Sequence, residues 1–433
     1  MKNIFKSIRL LMLTAVLLAL SSCQSFLTIE NPEDKSIREG YYNTAQRVEQ
    51  AVIGIYVDFR RALLNDRAWL MYGEARAGDL IVDSKSYDFV VNQQLKEKQD
   101  ELVQLTDWEY FYDVLNDANQ VLQIINEAES DILTEYEYNL YKGEALALKS
   151  FAYFYLARIW GDVPSAEPNN FGNVLSTTEA ITKAQELAME AKELLPWILL
   201  NEDGIESSSI TEFRMNKTAI SILLAQEYLW LDNAQEAYGV LSTAIVENTE
   251  EKWSPFGFST GEDYRSDLTE DPLDKDFVSI SLEKLNSIYP EGDMRREAYD
   301  ISEENGTATL LSYAQDVTKL LTTTNFYLLL AESAWRMEHL EEAKAILIEV
   351  SAGATEDYSE LDANNFGQAI LLERQRLLMG SGLRFFDLMR FNMVAQEIPS
   401  LSEQDIADGA GFWPLSERSI KDNSLNQNSY WSK

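Results

Sequence analysis

The chain has 433 residues, 45% of them hydrophobic, and its 72 acidic side chains outnumber 36 basic ones to give a formal net charge of −36. This acidic excess argues against nucleic-acid binding, because phosphate backbones are held by clustered Lys and Arg. One Cys cannot form a disulfide within the chain, and one His leaves little from which to build Ser-His-Asp catalysis or a multi-His metal site. The composition indicates an acidic globular protein, and we expect neither a metal nor a cofactor.

Residues 1–22 have the pattern of a lipoprotein signal peptide. Three basic residues precede an apolar run over residues 10–20, which is shorter than the ~20 residues needed to span a bilayer. The following Leu-Ser-Ser-Cys sequence resembles a lipobox, in which the cysteine, here Cys23, is acylated and becomes the new N-terminus. Cleavage there removes three basic residues and no acids, so the net charge changes from −36 to −39. We expect Cys23 to be a lipid anchor; the alternative is an ordinary secretory signal that ends near a free cysteine.

Apolar residues recur at three- and four-residue spacing along most of the remaining chain, which is the pattern of amphipathic helices. The predicted helices are residues 107–128, 135–160, 177–200, 216–231, 234–247, 324–337, 340–350 and 366–380. Several of the connections between them are short, so consecutive helices are expected to pack as antiparallel hairpins. The sequence therefore predicts an all-α fold.

Two of these hairpins are similar in sequence. Residues 225–237 align without a gap with residues 331–343, and the offset of 106 is about three periods of a ~34-residue tetratricopeptide repeat. Small and apolar residues coincide, and a polar pair, Asp232-Asn233 or Glu338-His339, interrupts each segment. We expect degenerate tetratricopeptide-type hairpins, with His339 as a turn residue rather than a catalytic group.

Residues 250–312 differ from the helical segments in composition and pattern: they contain scattered aromatic residues, Gly, Pro and acids and have no sustained helical period. Loops carried on a rigid scaffold are where binding residues concentrate. This segment is therefore expected to be irregular and to contribute to ligand binding.

Short motifs occur in a recognisable order along the chain. They are Arg76 and Asp79; Trp108, Tyr112 and Asn119; Gly161, Asp162, Val163 and Pro164; Glu373 and Arg374 followed by Gly382, Arg384, Asp387 and Arg390; and the closing Pro414, Asn428 and Tyr430. Together with the lipobox, these motifs resemble the SusD/RagB family of outer-membrane lipoproteins of Bacteroidetes. The resemblance implies a scaffold of helical hairpins with ligand-binding loops, a position at the outer membrane facing the cell exterior, and a TonB-dependent, SusC-like transporter as partner.

The motif residues are expected to stabilise the fold rather than to touch a ligand. Gly161 tolerates a positive φ and Pro164 cannot continue a helix, which suits a helix stop. Arg384, Asp387 and Arg390 are spaced at i, i+3 and i+6, which predicts a stripe of ion pairs along one helix.

The predicted organisation has five parts. They are a signal peptide (1–22), a SusD-like N-terminal region with the first hairpins (23–212), a helical hairpin (213–249), an irregular variable segment (250–312) and a SusD/RagB-like C-terminal region (313–433).

The leading functional hypothesis is a surface-exposed protein that binds oligosaccharides without transforming them. Sugar rings offer apolar faces to aromatic side chains, while polar groups bond the hydroxyls. The preferred candidates lie in the irregular segment, and weaker ones precede it. The candidate ligand residues are Trp253, Phe256, Phe258 and Tyr264, followed by Trp69, Tyr72 and Tyr87.

Three other functions are weighed against this one. The same architecture could capture peptides, since arrays of helical hairpins hold peptides in grooves. A non-catalytic scaffold for other proteins is compatible with the repeats. A glycosidase would need two carboxylates, but no short catalytic motif stands out among the 72 acids.

Overall fold

The structure, a computed structural model, describes residues 40–81, 85–95, 102–128, 131–259, 279–311, 317–423 and 425–433. The predicted signal peptide, the candidate anchor Cys23 and the candidate ligand residue Tyr264 lie outside the described residues. Helices make up most of the rest, which confirms the predicted fold class. Within these ranges, no helix is both long and apolar enough to cross a bilayer.

The helices agree closely with the predicted segments. In chain order they are α1 (Ala45–Leu64), α2 (Ala68–Gly73), α3 (Lys85–Val91), α4 (Val103–Thr106), α5 (Glu109–Glu127), α6 (Glu135–Trp160), α7 (Thr177–Leu194), α8 (Ser208–Thr211), α9 (Lys217–Trp230), α10 (Ala234–Glu247), α11 (Leu282–Ile288), α12 (Thr323–Arg336), α13 (Leu340–Val350), α14 (Ala363–Leu377), α15 (Arg384–Arg390), α16 (Val394–Glu397), α17 (Glu403–Ala407) and α18 (Glu417–Asn423). Helix α7 ends before the predicted residue 200, because Leu195 precedes a proline and takes an extended conformation.

Helix α6 is the centre of the N-terminal half. It begins with a capping box, in which the Thr134 hydroxyl accepts from the Glu137 amide while the Glu137 carboxylate accepts from the Thr134 amide. From Leu140 onward nearly every side chain is buried, because α6 packs against α1, α5 and α7 on different faces. A helix that is apolar all round is expected at such a central position.

The two similar hairpins have the same turn. Asp232, between α9 and α10, has φ +58°, and Glu338, between α12 and α13, has φ +65°. The amide of the next residue then donates to a carbonyl five residues back, from Asn233 to Tyr228 and from His339 to Ala334, at 2.9 Å in both cases. Helix α10 packs on α12, so the hairpins stack. The repeat and the turn position of His339 are confirmed.

The segment predicted to be irregular contains short strands where it is described. Among the described residues, the strands are β1 (Val163–Pro164), β2 (Val174–Leu175), β3 (Phe256–Ser259), β4 (Ser279–Ser281), β5 (Tyr299–Ser302), β6 (Thr307–Leu310) and β7 (Val317–Leu321). Strand β3 pairs antiparallel with β7, and β6 lies between β4 and β5 in a three-stranded sheet. The segment is therefore more regular than expected where it is described: strand pairing orders runs of three or four residues, which are too short for a clear period in the sequence.

Candidate functional site

The aromatic side chains of β3 lie in the core. Phe256 is fully buried, and its ring centroid is 5.5 Å from that of Phe258, which in turn lies 5.8 Å from the ring of Phe59 on α1. Alternate residues of a strand share a face, so pairing of β3 with β7 turns both rings inward together. The prediction that Phe256 and Phe258 contact a ligand is corrected: these side chains stabilise the core.

The weaker aromatic candidates are also core residues. Trp69 is fully buried, the Tyr72 hydroxyl donates to the carbonyl of Leu105 at 3.1 Å, and the Tyr87 hydroxyl donates to that of Leu80 at 2.5 Å. Burial raises the pKa of Tyr87 well above its ordinary value. These three residues are therefore removed from the predicted site as well.

Trp253 keeps part of its surface exposed, but its ring packs against other aromatic side chains, the buried Phe326 and the partly buried Trp197. Its ring centroid lies 4.9 Å from that of Phe326 and 5.7 Å from that of Trp197. The predicted aromatic cradle is thus not assembled among the described residues, and Trp253 on its own offers a partial aromatic surface.

Asp79 joins the two signature regions of the sequence. Its Oδ2 atom accepts a hydrogen bond of 2.7 Å from Gln375 on α14 and lies 3.4 Å from Nε of Arg384 on α15. Its Oδ1 atom lies 2.6 Å from Nζ of Lys284 on α11. Helices α11, α14 and α15, all far from Asp79 in the sequence, are therefore held to one buried carboxylate.

Arg76 does not share this site with Asp79. Its guanidinium donates to the carbonyls of Ala410 and Gly411 at 2.5 and 2.8 Å and to Gln93 at 2.9 Å. Burial lowers the pKa of Arg76 to about 9. Arg76 therefore fixes the C-terminal segment, and the two residues that read as a pair in sequence have separate structural roles.

Glu74 was not among the residues predicted from the sequence. This buried carboxylate accepts from the amides of Gly380, Gly382, Leu383 and Arg384 at 3.2 to 3.4 Å. Burial raises its pKa to about 7, with the nearby Asp79 contributing in the same direction. The sequence feature that could have identified Glu74 is its position two residues before Arg76, in the same motif.

The predicted stripe on α15 is correct for one pair and wrong for the other. Asp387 and Arg390 form an ion pair of 2.9 Å. Arg384 instead turns to Asp79 and to Glu397, whose carboxylate lies 3.3 Å away. Asp387 forms a second ion pair, of 2.8 Å, with Arg374, because α14 packs beside α15.

Two further signature residues are structural. The carboxylate of Glu373 pairs with Arg376 at 2.6 Å and accepts from the Tyr358 hydroxyl at 2.7 Å. Gly382, with φ +76°, is packed so tightly that a methyl group on it would lie 2.5 Å from the carbonyl oxygen of Trp69.

The turn after α6 also stabilises the fold, as expected. Gly161 ends the helix with φ +83°. The Asp162 carboxylate accepts from the amide of Thr177 at 2.9 Å, and the Pro164 carbonyl accepts from the hydroxyl of Tyr112 at 2.6 Å. The turn thereby connects α6 to the start of α7 and to α5.

A polar cleft of about 390 Å³ opens beside Asp79, and we call it the Asp79 cleft. It is lined by Ala77, Gly78, Asp79, Leu80, Ile81, Ser281, Glu283, Lys284, Ser287 and Glu397. At its edge, the amide of Ile81 donates to the carbonyl of Ser279 at 2.7 Å. Residues 82–84 and 260–278, the second of which includes Tyr264, adjoin this pair in the chain. The sequence contained no signal for Lys284, because the packing of α11 against Asp79 depends on the tertiary fold.

Comparison with known proteins gives two family matches. Residues 26–229 match a SusD-like family described as starch-binding and associated with the outer membrane, and residues 301–431 match the SusD family. SusD-like protein P38 of Formosa agariphila is 26% identical over 255 residues, which are 56% of this chain and 46% of that protein. A SusD-like protein of Bacteroides ovatus is 27% identical over 169 residues, 39% of this chain and 30% of that protein. The aligned regions thus span less than half the length of these relatives.

Solved structures agree on the fold. A SusD superfamily protein of Bacteroides thetaiotaomicron has a TM-score of 0.74 at 22% identity, with 90% of this chain and 99% of that one covered. A SusD superfamily protein of Bacteroides vulgatus has a TM-score of 0.72 at 17% identity, with 90% and 100% covered. These structures share the fold over most of the chain, and with the two family matches, over residues 26–229 and 301–431, the chain belongs to the SusD/RagB family.

Proposed function

We propose that this protein is an outer-membrane lipoprotein, anchored through Cys23 and facing the cell exterior. It binds oligosaccharides and delivers them to a TonB-dependent, SusC-like transporter. The observation that carries this proposal is the Asp79 cleft. Residues of the two signature regions, which are far apart in the sequence, meet there, and polar side chains line the cleft. The family's description as starch-binding and associated with the outer membrane supports both the ligand class and the location.

The chemistry of the Asp79 cleft suits sugar hydroxyls. Ser281 and Ser287 offer hydroxyl groups, Glu283 and Glu397 offer carboxylate acceptors, and Lys284 offers an ammonium donor. Hydrogen bonds with a charged partner are roughly twice as strong as neutral ones. Tyr264, which lies outside the described residues, stays a candidate ligand residue on the sequence pattern alone.

The same contacts favour binding over hydrolysis. A glycosidase needs one carboxylate that attacks or activates water and another that protonates the leaving group. The carboxylate of Asp79 is occupied by Lys284 at 2.6 Å and Gln375 at 2.7 Å, and that of Glu397 is paired with Arg384 at 3.3 Å. Of the lining carboxylates this leaves Glu283, one group where hydrolysis needs two. We therefore propose that the chain holds its ligand unchanged.

The ligand class is tested by native gel electrophoresis of the chain through gels containing starch, β-glucan, xylan, mannan or a sulfated polysaccharide, with albumin as the non-binding marker. We expect at least one neutral polysaccharide to retard the chain, no reducing ends to be released, and the sulfated gel to have no effect. Unchanged mobility in every gel, together with calorimetric binding of a peptide mixture, would replace oligosaccharide capture by peptide capture.

A further inference from the structure

A second cleft, of about 600 Å³, opens beside the turn after α6, and it shares no lining residue with the Asp79 cleft. We call it the turn cleft. It is lined by Trp160, Gly161, Asp162, Val174, Thr177, Ala407, Asp408, Gly409, Phe412, Trp413, Leu415, Leu425, Asn426, Gln427, Asn428 and Ser429. We propose that the turn cleft is a second sugar-binding site, for a neutral oligosaccharide of two or three units. The proposal extends the proposed function and depends on it for the ligand class.

The volume and the lining of the turn cleft suit a small ligand. Pockets for small molecules have volumes of about 300–1,000 Å³ and combine apolar surface with a few placed polar groups. The turn cleft has both, because its lining combines the rings of Trp160, Phe412 and Trp413 with amide and hydroxyl side chains at residues 426–429. Trp160 and Trp413 are buried, and the ring of Phe412 is partly exposed.

The walls of the turn cleft are held in place before any ligand arrives. The amide of Trp413 donates to the carbonyl of Ile159 at 2.7 Å, so the C-terminal segment is bonded to the last turn of α6. The indole of Trp431 donates to the carbonyl of Phe412 at 2.9 Å. Fixing a site in its binding geometry lowers the entropy lost on association.

Phe412 supplies an aromatic platform. Its side chain is partly exposed, and a methyl group on Gly161 would lie 3.5 Å from three atoms of the ring, Cγ, Cδ1 and Cδ2. The ring therefore lies flat over Gly161 on one side. An aromatic ring in such a position can stack on the apolar face of a sugar.

Polar groups around the platform remain available to a ligand. Among the described residues, the side chains of Asn426 and Ser429 make no hydrogen bond. The Oδ1 atom of Asp162 accepts hydrogen bonds from Thr177, and its Oδ2 atom is available to a ligand. An amide, a hydroxyl and a carboxylate oxygen can together donate to and accept from sugar hydroxyls.

The charges of the turn cleft select against anionic sugars. Its charged lining residues are Asp162 and Asp408, and no Lys or Arg is among them. Asp408 is paired with Lys433 at 2.7 Å, whereas Asp162 is paired with no cation in the part of the chain that the structure describes. A uronate or sulfate group would be repelled there, whereas a neutral sugar would not.

The test is isothermal titration calorimetry of the full chain with maltotriose, cellotriose, laminaritriose, trigalacturonate and trialanine. Phe412→Ala is compared with Phe171→Ala, which removes an aromatic side chain of 73% exposure that does not line the turn cleft. We expect at least one neutral trisaccharide to bind about tenfold more weakly to Phe412→Ala and within twofold of wild type to Phe171→Ala. Lys284→Ala is titrated alongside, so that binding at the Asp79 cleft is distinguished from binding at the turn cleft. If Phe412→Ala fails to fold, Asn426→Ala takes its place, with an expected three- to tenfold loss.

Three outcomes would overturn the second site. The first is a trisaccharide affinity that is the same in wild type, Phe412→Ala and Asn426→Ala. The second is an affinity lost in Lys284→Ala alone, which would assign the binding to the Asp79 cleft and leave the proposed function intact. The third is binding of trigalacturonate or trialanine in place of every neutral trisaccharide. Failure of the proposed function itself is distinct, because it appears as unchanged mobility in every polysaccharide gel.

Discussion

Glu74 and Gly382 are joined across the fold by a hydrogen bond of 3.2 Å, in which the amide of Gly382 donates to a buried carboxylate 308 residues earlier in the chain. Together with the contacts of Asp79 to Gln375 and Arg384, this bond connects the two signature regions that flank the Asp79 cleft. The stability of this junction is therefore tied to the shape of the proposed ligand site.

The buried Glu74 carboxyl predicts a pH dependence of stability. Its pKa is about 7 in the folded chain against an ordinary value of 4.5, so the folded state keeps a proton that the unfolded state has released between these pH values. The contribution of this group is therefore fully present below pH 4.5 and is lost as the pH rises through 7. From pH 5 to pH 8, the free energy of unfolding of wild type should fall relative to that of Glu74→Gln by up to about 3 kcal/mol.

Urea denaturation at pH 5, 6, 7 and 8 measures this difference. Glu338→Gln, at an exposed turn, serves as the matched control. A free-energy gap between wild type and Glu74→Gln that stays constant over the four pH values would show that Glu74 is ionised throughout.

Substitutions at two glycines with the same φ distinguish the cost of backbone strain from the cost of a steric clash. Gly382 and Gly172 both have φ +76°, but a methyl group on Gly382 would lie 2.5 Å from the Trp69 carbonyl oxygen, while one on Gly172 meets nothing within 4 Å. Gly172→Ala should therefore cost about 1 kcal/mol, the conformational penalty alone. Gly382→Ala should cost at least about 2 kcal/mol more, because the backbone has to move. Equal unfolding midpoints for the two variants would contradict the tight junction.

The buried ion pairs of α15 should be far more important than pairs at the surface. Asp387 accepts from both Arg374 and Arg390, all three side chains being buried. Asp387→Ala removes the partner of two buried cations and is expected to cost about 3–5 kcal/mol in urea unfolding. The control is Asp232→Ala, whose carboxylate pairs with Arg336 at 3.1 Å but is 86% exposed, with an expected cost below about 1 kcal/mol. Similar losses in both variants would mean that the buried network contributes no more than an exposed pair.

The hairpin turn at Glu338 predicts opposite effects for two substitutions. Its φ of +65° is strained for a side chain with Cβ, and most strongly for a β-branched one. Thermal unfolding should therefore find Glu338→Gly equal to wild type or more stable by up to about 1 kcal/mol, and Glu338→Val less stable by about 1–2 kcal/mol. A Val variant as stable as the Gly variant would argue against the left-handed turn.

The scaffold could be predicted from the sequence because its signals are local. Helix α6 agrees with the predicted segment at both ends, since its capping box and its terminal glycine lie in the sequence itself. The matching turns at Asp232 and Glu338 were visible as a repeat, because the small residues around them serve the same packing in both hairpins.

The site was harder to predict because it depends on contacts between distant residues. Phe256 and Phe258 lie beside Pro and Gly in the sequence, a pattern that suggests an exposed loop. Their strand, β3, pairs with β7, some sixty residues later, and this pairing directs both side chains into the core. Arg76 and Asp79 are close in sequence yet bond to different partners, Ala410 for the first and Lys284 for the second. Neither partner can be recognised without the tertiary fold.

The central claim, that the Asp79 cleft binds the oligosaccharide, is tested most directly by calorimetry. The titrant is an oligosaccharide prepared from a polysaccharide that retards the chain, and Lys284→Ala is compared with Lys252→Ala. Lys252 is a matched control, because its ammonium also pairs with carboxylates, Glu206 at 2.7 Å and Glu250 at 2.8 Å, outside the cleft. We predict that Lys284→Ala weakens binding about tenfold, or roughly 1.4 kcal/mol, while Lys252→Ala binds as wild type does. Equal dissociation constants for the two variants would contradict the assignment of the ligand site to this cleft.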